Sequence, residues 1–165
     1  MTFANRVKGV LVLDARTFEE IEADRSANMQ ALLVVVAASV AAGVGASVQL
    51  GPLGILRETV GALVGWVMWA GVTWLIGAKL LPESQTRTDM GELLRVIGYA
   101  YAPNLFALFA FVPVLGLAVR TVIAFWLLAA TVIAVRQALD YRSTLRATAV
   151  VFIGWIIFVL IQQLS

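Results

Sequence analysis

The 165-residue chain suits a single domain, but 61% hydrophobic and only 13% charged residues exclude an ordinary water-soluble domain. Its 12 Lys and Arg against 10 Asp and Glu leave a net charge of +2, which gives no basis for nucleic-acid binding. With no Cys and no His, disulfides, thiolate nucleophiles, the common zinc sites and imidazole ligation of haem are excluded, and no cofactor is expected.

In chain order, the opening residues lack the apolar stretch and cleavage site of a signal peptide, so the first membrane helix is expected to direct insertion. Phe3, Val7, Val10 and Leu11 recur at helical spacing with Arg6 and Lys8 opposite, which predicts a short helix lying on the membrane surface; Gly9 counts against it. A second short helix is predicted after Asp14, where Thr17 and Glu20 have capping-box spacing and Phe18 with Ile21 forms an apolar stripe. Its acids, Glu19, Glu20, Glu22 and Asp24, are expected to face water. Residues 1–28 thus form a cytoplasmic amphipathic segment, and residues 29–165 a transmembrane domain.

Cutting the remainder at its charges leaves apolar runs, most of them long enough for a membrane span of about 20 residues. The predicted spans are 31–50, 60–81, 94–112, 116–135 and 147–164, with Gly51-Pro-Leu-Gly54 and Pro113-Val-Leu-Gly116 read as turns. The fold class is therefore all-α, a polytopic protein with five transmembrane helices. Arg6, Lys8, Arg16, Arg25, Lys79, Arg87, Arg95, Arg136, Arg142 and Arg146 fall on one side of such a layout, and only Arg57 and Arg120 on the other. The bias of Lys and Arg towards cytoplasmic loops then places the amino terminus inside and the carboxyl terminus outside.

Small residues let membrane helices approach closely. Ala37, Ala41 and Gly45 share one stripe of the first span, Ala38, Ala42 and Ala46 lie beside it, and Gly61 and Gly65 repeat at four residues in the second; these faces are expected to pack within the chain or in an oligomer. Trp66, Trp69 and Trp74 cluster within the second span, and Trp126 and Trp155 lie inside theirs, expected in lipid-facing or packing roles rather than around a ligand. Arg120 lies one turn into the fourth span. It can snorkel to the outer head groups or bind a lipid phosphate or an acidic partner, with Glu58 as the only acid of this chain on its side. No Asp or Glu lies deep in a span, so a proton relay has no candidate. Gln49, Thr73, Asn104 and Thr131 either bond to neighbouring helices or line a polar path.

The segment Leu93–Phe106 carries most information. Pro103 cannot donate a helical hydrogen bond and crowds the Tyr99 carbonyl, which predicts a kink; Gly98 permits a close contact, and Tyr99, Tyr101 and Asn104 can satisfy backbone groups freed there. Two readings stand for it, a structural kink or a contact site for lipid or partner formed by Gly98, Tyr99, Pro103 and Asn104, with Arg120 as a further candidate.

The pattern Gly98-Tyr99-x-x-x-Pro103, preceded by Gly77-Ala-Lys-Leu-Leu-Pro-Glu-Ser-Gln-Thr86 and Glu92-Leu-Leu-Arg95, resembles the Yip family of Ypt/Rab-interacting membrane proteins, and its bacterial branch most of all. The opening Arg6-Val-Lys-Gly-Val-Leu-Val-Leu-Asp14 and Phe18-Glu-Glu-Ile21 extend the resemblance, which implies five spans and a cytoplasmic amino terminus. The Asp-Leu-Tyr-Gly-Pro motif of the eukaryotic members is absent, with only a partial echo in Gln49-Leu-Gly-Pro-Leu53, so binding of Rab-type GTPases is not carried over. The expected function is a non-enzymatic adaptor or organiser of lipids or membrane proteins in a bacterial inner membrane. Its expected partners are lipids and other membrane proteins or further copies of the chain. The alternatives are a small channel or permease, or an accessory subunit of a larger membrane complex.

Overall fold

In the computed structural model, residues 1–45, 47–112 and 115–164 are described, those at 47–52, 58, 162 and 164 by their backbone alone. Two short helices, α1 (Phe3–Leu11) and α2 (Ala15–Ala23), precede five long ones. These are α3 (Ala27–Gly45); α4 (Ser47–Trp74), continued by a π-helical segment, Leu75–Leu80; α5 (Met90–Ala100), continued by a 3₁₀ stretch, Ala102–Phe111; α6 (Gly116–Ala138); and α7 (Thr144–Leu164). Five segments are long and apolar enough to cross a membrane, and no strand occurs among the described residues.

The third span holds the centre. Its mean hydropathy of 1.3 is the lowest of the five, yet 61% of it is buried, against 39% or less for the others. Polar residues such as Arg95, Tyr99 and Asn104 lower its hydropathy, and contact with protein in place of lipid makes them tolerable. The pair α3–α4 packs on one side of it and α6 on another, with α7 closing against α4 and α6.

Two expected features are corrected. The backbone of Gly51–Gly54 is helical within α4, so that helix starts thirteen residues before the predicted Val60. In lipid an open turn would leave backbone groups unpaired, and the helix therefore prevails over local turn preference. At Pro103 the chain does not merely kink. α5 ends at Ala100 and resumes as a 3₁₀ helix with Pro103 in its first turn, where a missing N–H costs least. The expected turn at Pro113–Gly116 falls partly outside the described residues; Gly116 opens α6.

The π segment frees carbonyls at the end of α4. The Tyr141 hydroxyl, 2.9 Å from the Gly77 oxygen and 2.6 Å from that of Leu81, donates to one of them at a time. Tyr141 follows α6, whose end is a Schellman turn: Asp140 in the left-handed region (φ 53°), with its N–H bonded to Gln137 O and that of Tyr141 to Arg136 O.

α1 ends the same way, with Leu13 left-handed (φ 60°), its N–H on Val10 O and that of Asp14 on Gly9 O. Asp14 then caps α2, accepting from the Arg16 N–H at 3.3 Å and the Thr17 hydroxyl at 2.8 Å, which holds its carboxyl below the usual range. The expected cap at Thr17 is therefore displaced to Asp14; a complete capping box is formed instead by Asp89 with Glu92, at the start of α5. Gly9, which counted against α1, is what lets α1 and α2 cross. A Cβ there would stand 2.2 Å from Thr17 Oγ1, already committed to Asp14. Gly9→Ala is expected to cost about 2 kcal/mol of α1–α2 packing, measurable as faster hydrogen exchange over residues 3–23 with the spans unchanged.

Candidate functional site

The polar chemistry of the molecule gathers where α1 and α2 meet the first turns of α3 and α5. Arg6, on the buried face of α1, is 3% exposed. Its guanidinium donates to Glu20 Oε1 (3.4 Å from Nε, 3.2 Å from Nη2), to Asp24 Oδ2 from Nη2, and to Gln30 Oε1 at 3.1 Å from Nη1. The same Gln30 oxygen accepts the Tyr99 hydroxyl at 2.5 Å, and the Phe3 ring lies 6.2 Å from that of Tyr99. One planar cation thereby ties α1, α2 and α3 together, and Tyr99 adds α5.

Arg95, also 3% exposed, makes a second tie. Its Nε and Nη2 donate to the Glu22 carbonyl at the end of α2, and Nη1 to Asn28 Oδ1 at 3.2 Å at the start of α3. A guanidinium suits this position because α2 ends with carbonyls that no helical N–H can reach. On the flank of α6, Gln137 Nε2 donates to Glu19 Oε1 at 3.0 Å, and the Trp126 indole N–H to Leu11 O at 3.0 Å. The short helices thus form a collar fixed to the bundle by side chains from α3, α5 and α6.

The expectation that the acids of α2 face water is corrected for three of the four. Glu20 and Asp24 hold Arg6. Hydrogen bonds from Ser26 and then Arg6 pull the Asp24 carboxyl down to about 2. Glu22 is half-buried against α5 and α6; burial first, then the nearby charges of Asp140 and Glu92, push its carboxyl up to about 8, with Arg95 opposing. Only Glu19 is exposed.

A testable pH dependence follows. A carboxyl whose folded pKa lies above its unfolded one binds the proton more tightly when folded, so its contribution to stability is complete below about 4.5 and is lost as pH rises through about 8. Hydrogen exchange in α2 is expected to accelerate between pH 5 and 9 beyond the intrinsic base-catalysed rise, and Glu22→Gln to remove the excess.

The sequence-derived site residues divide. Gly98, Tyr99 and Pro103 are buried inside the chain and touch its own helices, so none presents a surface to a partner or to lipid. A Cβ on Gly98 would lie 2.9 Å from Ala31 Cβ and 3.1 Å from Trp66 Cζ2. Asn104 is half-exposed, and Arg120 is exposed; both border one cavity between the 3₁₀ stretch and α6.

Of the packing residues, Gly45 meets the Ala107 carbonyl and Gly65 the Phe158 ring, while Ala41 is half-buried. Ala37 is exposed and Gly61 has nothing within 4 Å, so neither packs within the chain; Ala31, Val34, Val35 and Ala38 form the buried face of α3 instead. Trp66 and Trp69 are buried, and the Trp66 indole donates to Leu94 O at 3.0 Å; Trp155 is exposed. The expectation that Arg6 lies opposite the apolar residues of α1 is corrected, since it is buried on the same face as Val10; the internal roles of Arg6 and Arg95, counted only among the topogenic charges, were missed. The available signals were Arg95 one turn before Tyr99 on α5, and Arg6 one turn before Val10 on the apolar face of α1.

Among the described residues no group of His, Cys, Asp or Glu is placed to hold a metal ion. The model of the Yip1 domain family matches residues 8–163, almost the whole chain, including Arg95 and the partners of Arg6 but not Arg6 itself. Searches of curated proteins and of solved structures gave no significant match.

Proposed function

Because the chain belongs to the Yip family, matched over residues 8–163, we propose that it is a non-enzymatic membrane adaptor, with its amino terminus and collar in the cytoplasm of a bacterial cell. The observation that carries this reading is the fixed collar. An amphipathic segment that only touched the membrane would need no buried guanidinium, whereas Arg6 and Arg95 hold α1 and α2 in one orientation on the third span. Fixing a surface in advance lowers the ordering cost of binding another protein there. The charges around the collar support the orientation. The 82–89 and 139–143 loops meet at its end of the bundle, joined by Thr86 to Leu139 O at 2.8 Å, Gln85 to Asp140 O at 3.0 Å, and Arg146 to Glu83 at 3.5 Å. Most Lys and Arg thus share one end, as the cytoplasmic bias requires.

The test is isolation from native membranes in mild detergent, comparing wild type with Arg95→Ala. A membrane protein recovered in fixed ratio with the wild type and lost from the variant, which still inserts, supports an adaptor. Solute flux through proteoliposomes above the empty-vesicle background, with no such partner, contradicts it and favours a small channel.

A further inference from the structure

At the end of the bundle away from the collar, a cavity of about 200 Å³ bordered by Asn104 and Arg120 meets, at Ala124 and Leu127, a second of about 370 Å³ that runs on past Thr131 to Trp155. Together they form one crevice along α6, charged at its outer end and apolar along its length. From Arg120 to Leu127 is about 10 Å and to Thr131 about 16 Å at the rise of an α-helix. We infer that this crevice is a binding site for a membrane phospholipid, its phosphate on Arg120 and Asn104 and one acyl chain laid along Leu127 towards Trp155.

The charge distribution selects this occupant. Of the 10 acids, Asp14, Glu19, Glu20, Glu22, Asp24, Glu83, Asp89, Glu92 and Asp140 all lie at or near the collar end, and Glu58 alone lies towards Arg120. A second copy of the chain could therefore offer Arg120 a single side-chain carboxylate. Among the described residues Arg120 has no acidic partner, and the Asn104 side chain makes no hydrogen bond to a described residue. A phosphate head group supplies an anion with several acceptors to both, and lipid is the medium that bathes the open side. Arg120 at this depth also reaches the head-group layer with its apolar stem against the helix. No residue of α1 or α2 lines the crevice, so the inference stands apart from the adaptor reading.

The test is titration of delipidated protein in detergent with dioleoyl phosphatidylglycerol or dioleoylglycerol, followed by native mass spectrometry. Both lipids have the same chains, and only the first has a phosphate. The expected result is a single phosphatidylglycerol bound about tenfold more tightly than dioleoylglycerol, the preference being lost in Arg120→Gln. Leu127→Trp, which fills the junction, is expected to weaken both lipids. Trp155→Ala, at an exposed position where folding is not at risk, should do so as well. Equal affinity for the two lipids, or phosphatidylglycerol binding unchanged in Arg120→Gln, overturns the inference; so does an effect of Arg120→Gln with none from either crevice variant.

Discussion

Arg6→Ala is expected to release the collar from the bundle and to lower stability by about 2 kcal/mol. The guanidinium is buried, and its removal leaves Gln30 without a donor from α1 and Asp24 without its cation. Breaking a fully buried ion pair costs about 3–5 kcal/mol. The value here is lower because Glu20 and Asp24 are about a third exposed, Glu20 also binds the amino-terminal ammonium, and the backbone N–H of Ser26 still serves Asp24. Arg6→Lys should recover part of the loss, since one ammonium can reach one or two of the three acceptors that the planar fork spans. The measurement is the thermal midpoint in detergent together with protease sensitivity between residues 11 and 27. Loss of the midpoint without new cleavage there would mean that Arg6 stabilises something other than the collar.

Gly98→Leu is expected to cost about 3 kcal/mol, the upper end for overpacking. A Cβ there falls 2.9 Å from Ala31 Cβ and 3.1 Å from the Trp66 ring, and neither can yield. Ala31 has no torsion to rotate, and Trp66 is held by its bond to Leu94 O. Ala31→Gly removes the nearest atom. The pair Gly98→Ala with Ala31→Gly should therefore be more stable than the sum of the two single changes predicts, the coupling expected of residues in direct contact. Additive effects in thermal melts would show that α3 and α5 are not in contact at this point.

The five spans were legible because lipid imposes a blunt rule: backbone groups must pair within the segment, and charges mark where a segment stops. Asp14 as the start of α2 was legible from its short polar side chain ahead of an apolar stripe, although the box was placed three residues late. The length of α4 was not, because Gly51 and Pro52 carry the signal of a turn in water and the membrane weighs that signal differently. The role of the arginines was hidden for another reason. Arg6 bonds across 14 to 24 residues of sequence and Arg95 across 67 to 73. The local pattern sets Arg6 beside Val10 and Arg95 one turn before Tyr99, but it does not name the distant partners that turn such a charge into a tie between helices. Tyr99 and Gly98 stood out in the sequence, but both are buried: Tyr99 lies under Phe3 of the collar, and Gly98 lets α5 approach Ala31 and Trp66.

Hydrogen exchange of residues 15–23 in lipid nanodiscs is the most direct test of that anchoring. Amides of α2 in the wild type should exchange nearly as slowly as those of the buried α5, and the double variant Arg6→Ala, Arg95→Ala should bring them to the rate of a free peptide while α5 stays protected. Rapid exchange of α2 in the wild type, unchanged by the double substitution, would contradict a collar fixed to the third span.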